Sequence, residues 1–142
     1  MPTLLGFSAA AIFFIAAALH FYWAVTHGAK SSAESKFLPS SGNQSVFRPS
    51  RLLTFLVALM FLGCGLLLIG KLGYIGSLIA ENVYQIALEL LAVLLLLRAV
   101  GDFRLIGMFK KNKNTAFARM DTKLYIPLCI GLAVCCTVVA WH

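Results

Sequence analysis

Several ionisable and polar side chains lie inside stretches of this sequence that are otherwise apolar. His20 is near the end of the first stretch, and a later stretch has Glu89 at its middle, Gln85 one helical turn earlier and Arg98 at its end. Burying such groups in hydrocarbon is costly, so they are functional candidates. An imidazole can exchange a proton near neutral pH, a carboxyl can hold a proton or cation, and a guanidinium can grip a phosphate or carboxylate.

A second set of charged residues follows Arg98 and continues to the start of the last apolar stretch. Arg98 and Asp102 are four residues apart, so a helix would place them on one face, where they can pair. With His20 they predict a net positive pocket that suits an anionic headgroup. The predicted ligand-binding residues are His20, Arg98, Asp102, Arg104, Arg119 and Asp121. The alternative is an interfacial aromatic belt containing His20 and an arginine that an aspartate holds at the membrane surface.

Glu89 belongs to a separate polar group. It lies nine positions before Arg98, and this spacing puts the two side chains on opposite faces of a helix. One interpretation is a hydrogen-bonded glutamic acid that fixes a helix contact. The other is a proton or cation site on a path from Glu81 through Gln85 to Glu89.

Motifs for other chemistry are missing from the sequence. It has no glycine-rich phosphate loop, no GxSxG, no HExxH and no paired acid and base. The cysteines lie in apolar stretches without CxxC or histidine spacing, and are interpreted as small hydrophobic residues: Cys64, Cys129, Cys135 and Cys136. We therefore expect no catalytic residue, metal or cofactor.

The composition determines which elements position these residues. Of 142 residues, 61% are hydrophobic and 12% charged, whereas soluble domains carry about 25% charged residues. About 20 apolar residues cross a bilayer. The sequence predicts one all-α integral membrane domain over residues 1–142, a four-helix transmembrane bundle with an interfacial basic loop between helices 3 and 4. The expected helices cover about 4–25, 52–70, 82–101 and 124–141, with Pro127 in the first turn of the last.

The net charge of +7 predicts the orientation of the bundle. The connections after helices 1 and 3 together hold ten Lys and Arg residues, whereas the connection after helix 2 holds only Lys71. Basic loops face the cytoplasm, so we expect both termini outside. No zinc-finger spacing or aromatic-interleaved basic groove is present, so nucleic acid is not an expected partner.

Three stretches resemble the domain-of-unknown-function family 3995 (DUF3995). They are Leu19-His20-Phe21-Tyr22-Trp23-Ala24, then Arg98-Ala99-Val100-Gly101-Asp102-Phe103-Arg104, then residues 115–129, TAFARMDTKLYIPLC. The resemblance implies a small bacterial four-helix membrane protein. It implies no substrate, cofactor or catalytic residue. The connection after helix 1 is longer than in a typical member.

We expect a multi-pass protein of the bacterial cytoplasmic (inner) membrane that binds or moves a lipid, amphiphile or small anionic ligand at a cytoplasm-facing polar pocket. Membrane lipids are the expected partners, with a homo-oligomer or a membrane-protein partner as further candidates. The first alternative is an interaction or protective subunit that docks another membrane protein. The second is an intramembrane enzyme acting on a lipid-like substrate with His20, Asp102 or Asp121 as acid or base.

Overall fold

Four long helices make up most of the protein. The computed structural model describes residues 1–26, 40–41, 44–45, 50–75, 79–101, 108 and 116–142, and the side chains of 40, 41, 44, 45, 116 and 117 are not described. Three of the helices are regular: α1 (Pro2–Thr26), α2 (Arg51–Lys71) and α3 (Glu81–Val100). The fourth, here called the C-terminal helix, joins α4 (Ala116–Met120), a π-helical segment (Asp121–Tyr125) and α5 (Ile126–Ala140).

One small extended element interrupts the connection between α1 and α2. Strand β1 (Ser40–Ser41) pairs antiparallel with β2 (Gln44–Ser45). Elsewhere in the described part of the chain the regular structure is helical, so the predicted all-α class is confirmed. The predicted interfacial basic loop lies mostly at residues 102–107 and 109–115, outside the described residues.

All four helices are long and apolar enough to cross a membrane. The candidate spans contain 25, 21, 20 and 23 residues, the last running from Ala118 to Ala140. Large apolar side chains point outward along these spans; Leu4 is 75% exposed and Leu94 is 62% exposed. So much exposed apolar surface is unfavourable in water, whereas the apolar tails of lipids solvate it well. The four-helix transmembrane prediction is confirmed.

The C-terminal helix differs from its prediction at its start. It begins at Ala116, eight residues before the predicted start at residue 124. Pro127 therefore lies in the interior of a continuous helix and not in its first turn. Proline lacks a backbone N–H and its ring crowds the carbonyl one turn earlier. The wider π segment immediately before Ile126 lies where that disturbance falls.

The bundle consists of two helix pairs. Helix α1 packs mainly on α2, and α3 packs mainly on α5, with α1 against α5 joining the pairs. Small residues allow close approach in α1, where Ala9, Ala10 and Ala17 are buried. The core between them draws on all four helices: Phe13, Leu68, Leu88, Leu132 and Cys136. All four cysteines are free thiols.

The contacts define two ends of the bundle. The Phe7 and Tyr74 rings lie 5.0 Å apart, so the start of α1 adjoins the turn after α2. A Cβ atom at Gly6 would lie 3.3 Å from Val139 Cγ2, so the end of α5 lies there too. At the other end, here called the basic end, α1 finishes, α2 begins, α3 finishes and the C-terminal helix begins.

Candidate functional site

An ion pair between two helices is the centre of the candidate site at the basic end. Arg98, in the last turn of α3, donates from Nη2 to Asp121 Oδ1 over 2.9 Å. Asp121 is completely buried, and it is the one polar or charged residue in the described part of the chain with that degree of burial. A buried carboxylate requires a cation or strong hydrogen-bond donors. Arg98 supplies this charge.

The π segment determines where Asp121 points. The backbone N–H of Ile126 donates to the carbonyl of Asp121, five residues earlier. Asp121 and Ile126 are both buried, although residues five apart lie about 140° apart around a regular α-helix. The wider π turn brings both onto the inward face. Single π turns within α-helices are frequent at functional sites.

The guanidinium of Arg98 has N–H donors that its bond to Asp121 does not use. Its side chain is 35% exposed, yet its Nη1 atom is buried and has no hydrogen-bond partner in the part of the chain that the structure describes. Arginine carries five N–H donors, and a buried donor without an acceptor is destabilising. The site therefore combines a buried donor that lacks a described partner with an arginine side chain that is partly exposed.

Two further groups lie within electrostatic reach of the ion pair. Tyr125 and Cys129, one and two turns after Asp121, interact with the charges of both Arg98 and Asp121. The sequence interpretation missed Tyr125. Its spacing of four residues from Asp121 was the available signal, since such residues share a helical face.

His20 lies in an aromatic cluster at the same end of the bundle. Its ring is 5.1 Å from Trp23 and 5.1 Å from Phe61 of α2, measured between centroids. Nδ1 lies 2.8 Å from the carbonyl oxygen of Ala16, so Nδ1 must carry the hydrogen, because a carbonyl only accepts. Among the described contacts, none joins His20 to Arg98 or Asp121.

The other predicted pocket residues have different positions. Arg119 is exposed on α4, so it contributes charge at the surface, and Asp121 pairs with Arg98. Asp102 and Arg104 lie outside the described residues. Helix α3 ends at Val100, and Gly101 follows with φ 83°. The four-residue helical spacing that suggested an Arg98 and Asp102 pair therefore does not apply.

The second predicted polar group follows α3 away from the basic end. Gln85 and Glu89 are partly exposed. Glu81, at the start of α3, accepts a hydrogen bond from Lys71 at the end of α2, and this ion pair was not predicted. The short turn between oppositely charged helix ends was its available signal. In the described part of the chain, no three His, Cys, Asp or Glu side chains are grouped to hold a metal.

The comparisons with known proteins identify a family. Residues 13–136 match the family model described as "Protein of unknown function (DUF3995)".

The chain belongs to the DUF3995 family.

The part shared with DUF3995 includes His20, Glu89, Arg98 and Asp121, so the candidate site lies within it. No curated protein and no solved structure matches the chain. Membership of DUF3995 assigns no activity to the chain, so the evidence for its function is the candidate site.

Proposed function

We propose that this protein binds the phosphate or carboxylate of an anionic lipid or amphiphile at the basic end of its bundle, with Arg98 as the principal contact. The observation that carries the proposal is the Arg98 side chain, which is 35% exposed although it pairs with buried Asp121, and whose Nη1 atom has no partner in the described chain. Oxygen atoms of a phosphate or carboxylate are the acceptors that a guanidinium binds best, often through two parallel bonds.

The depth of Arg98 favours a membrane headgroup as the source of that acceptor. Arg98 is two residues before the end of α3, which is about 3 Å along the helix axis. This is the region where hydrocarbon gives way to polar headgroups. A lipid lying against the bundle would bring its phosphate to the level of the guanidinium.

The charge around the ion pair favours an anion over a cation. Arg98 and Asp121 neutralise each other, and the exposed residues Arg119 and Lys123 add positive charge on the same helix as Asp121. The connections at this end also contain most of the chain's Lys and Arg residues. Such clusters attract anionic headgroups, by about 1 kcal/mol per residue near the surface.

Lipid retention tests the proposal. Native mass spectrometry would compare the wild type with Arg98→Lys, which keeps the charge but loses the planar fork, after exposure to phosphatidylglycerol, phosphatidylcholine or inorganic phosphate. We expect one retained phosphatidylglycerol on the wild type and weaker retention on the variant. Arg51→Gln is the matched control, because it removes an exposed cation at the same end without touching the ion pair.

The outcomes separate the candidate ligands. Competition by inorganic phosphate at millimolar concentration would assign the site to a free anion, whereas competition by phosphatidylglycerol alone would assign it to a lipid. Equal lipid retention by the wild type and Arg98→Lys would contradict a role for the guanidinium. Replacement of lipid by one stoichiometric membrane protein would favour the docking subunit.

We also propose that the basic end faces the cytoplasm of a bacterial inner membrane, with both termini outside. Its support is the ten Lys and Arg residues in segments 26–51 and 102–123 at that end, against Lys71 alone at the other end. In this orientation the Arg98 site meets the inner leaflet, where anionic lipids attract basic segments.

A further inference from the structure

Glu89 lies at mid-depth without a partner among the residues that the structure describes. It is the ninth of the twenty residues of α3, so it lies far from both ends of the span. Its side chain is partly exposed and makes no hydrogen bond or ion pair with any described residue. Gln85, one turn earlier, is also partly exposed and likewise has no partner within the described ranges.

The two polar groups occupy the flank of α3 that the bundle leaves open. The inward face of α3 consists of Tyr84, Leu88, Ala92 and Ala99. Glu89 lies about 100° around the helix from Leu88, outside that face. Val93 and Leu96 continue this flank and are 52% and 46% exposed. The stripe 85, 89, 93 and 96 follows the spacing of a helix interface.

Lipid cannot satisfy these groups. An acid at the centre of a span costs about 3 kcal/mol on insertion scales, and hydrocarbon tails offer neither donor nor acceptor. The interior of the chain does not compensate for this cost, since the core contacts of α3 are apolar. A polar surface at the same depth must compensate for it.

We propose that the flank containing Gln85, Glu89, Val93 and Leu96 is the interface of a parallel dimer of two copies of this chain. Copies inserted in one orientation are related by a two-fold axis along the membrane normal, so residues at equal depth meet. A carboxamide has both donors and an acceptor, and two carboxyls that hold a proton between them are likewise complementary. Glu89 would thus face Glu89 of the second copy, and Gln85 would face Gln85.

The occupant is a second copy because the flank is complementary to itself. Its polar groups combine donors with acceptors at matching depths, and its apolar residues, Val93 and Leu96, supply packing on the same stripe. Polar side chains that bond across helices stabilise such contacts in membranes by about 0.6–2 kcal/mol each. This inference concerns α3 at mid-depth and does not depend on the ligand proposed at Arg98.

Energy transfer between donor- and acceptor-labelled copies, mixed in phosphatidylcholine vesicles at increasing lipid dilution, tests the dimer. We expect concentration-dependent transfer in the wild type and a dimer about threefold to thirtyfold weaker in Glu89→Leu. Glu89→Gln should keep most of the association, because the carboxamide is also self-complementary. Leu94→Ala, on an exposed flank of α3 away from Glu89, is the matched control and should dimerise as the wild type does.

The variants should fold normally, because Glu89 has no described partner in the chain to lose and leucine suits a bilayer better. A monomeric wild type would overturn the proposal, including the case in which a different protein occupies this flank. Equal association of the wild type and Glu89→Leu would overturn it as well. Glu89→Leu that loses the dimer but retains phosphatidylglycerol would support the dimer and separate it from the headgroup site.

Discussion

At the scale of single residues, the structure resolves which charged groups act together. Arg98 and Asp121 were both predicted members of the polar pocket, but the sequence suggested Asp102 as the helical partner of Arg98. The pairing with Asp121 requires knowing that α3 ends at Val100 and that the C-terminal helix turns Asp121 inward. Neither fact follows from local spacing, because both depend on contacts between distant segments.

The Arg98 and Asp121 pair is expected to stabilise the bundle chiefly by preventing an uncompensated buried charge. Arg98→Met leaves the carboxyl of Asp121 buried without its cation, and should lower the free energy of unfolding by about 3 kcal/mol. The double variant Arg98→Met with Asp121→Leu removes both charges and should recover most of that loss. Thermal unfolding in mild detergent measures both. A double variant no more stable than Arg98→Met would show that the pair contributes something other than charge compensation.

At the scale of elements, the sequence predicted the four spans. It did not predict where the C-terminal helix begins or which helices pack together. Apolar stretches of about 20 residues predicted all four spans, because an apolar segment of that length is stable only across a bilayer. The early start of the C-terminal helix was missed, since its first turns contain the charged residues Arg119, Asp121 and Lys123, and Pro127 suggested a helix start. Which helices pair was also not predicted, because it depends on small residues whose contacts are invisible in the sequence.

The π turn is expected to accommodate one extra residue between Asp121 and α5. Deleting the exposed Lys123 removes that residue and should give a regular α-helix, in which Asp121 and Ile126 are four positions apart and still share a face. The ion pair with Arg98 and lipid retention should therefore survive this deletion. Deleting the exposed Ile130 from the regular part of α5 should instead rotate Asp121 by about 100° relative to the part of α5 that follows, and should lower both thermal stability and lipid retention. Equal losses in the two deletions would contradict this role of the π turn.

Two glycines of α2 allow a matched test of the contact between α1 and α2. A Cβ at Gly65 would lie 2.8 Å from Cδ1 of the Phe14 ring, whereas a Cβ at Gly63 would meet nothing within 4 Å. Gly65→Ala should therefore destabilise the protein by about 1–3 kcal/mol through overpacking. Gly63→Ala should be neutral or stabilising by up to about 1 kcal/mol through helix propensity. Thermal unfolding should rank Gly63→Ala above Gly65→Ala, and the reverse ranking would contradict this packing.

At the scale of the whole molecule, composition was the best predictor of the fold, and the distribution of charge was the basis for the proposed orientation. A chain with 61% hydrophobic residues and four apolar stretches has few folds available, so the four-helix membrane bundle followed directly. Orientation is a proposal that rests on the distribution of Lys and Arg. The candidate site was predictable as a region at the basic end. Its internal geometry was not, because it combines α3 with a π turn about twenty residues later in the sequence.

Reporter fusions test the orientation of the bundle. A reporter active only outside the cytoplasm, fused after His142, should be active, and the same reporter fused within the connection between α1 and α2 should be silent. Activity in the opposite pattern would place the Arg98 site in the outer leaflet.

The central claim is that the guanidinium of Arg98 binds an anionic headgroup, and the most direct measurement is a crystal structure grown from a lipid mesophase containing phosphatidylglycerol. We expect a phosphate oxygen within about 3 Å of a guanidinium nitrogen of Arg98, with the bond from Nη2 to Asp121 retained. A guanidinium surrounded by protein atoms or water alone, with no headgroup oxygen in hydrogen-bond distance, would contradict the claim.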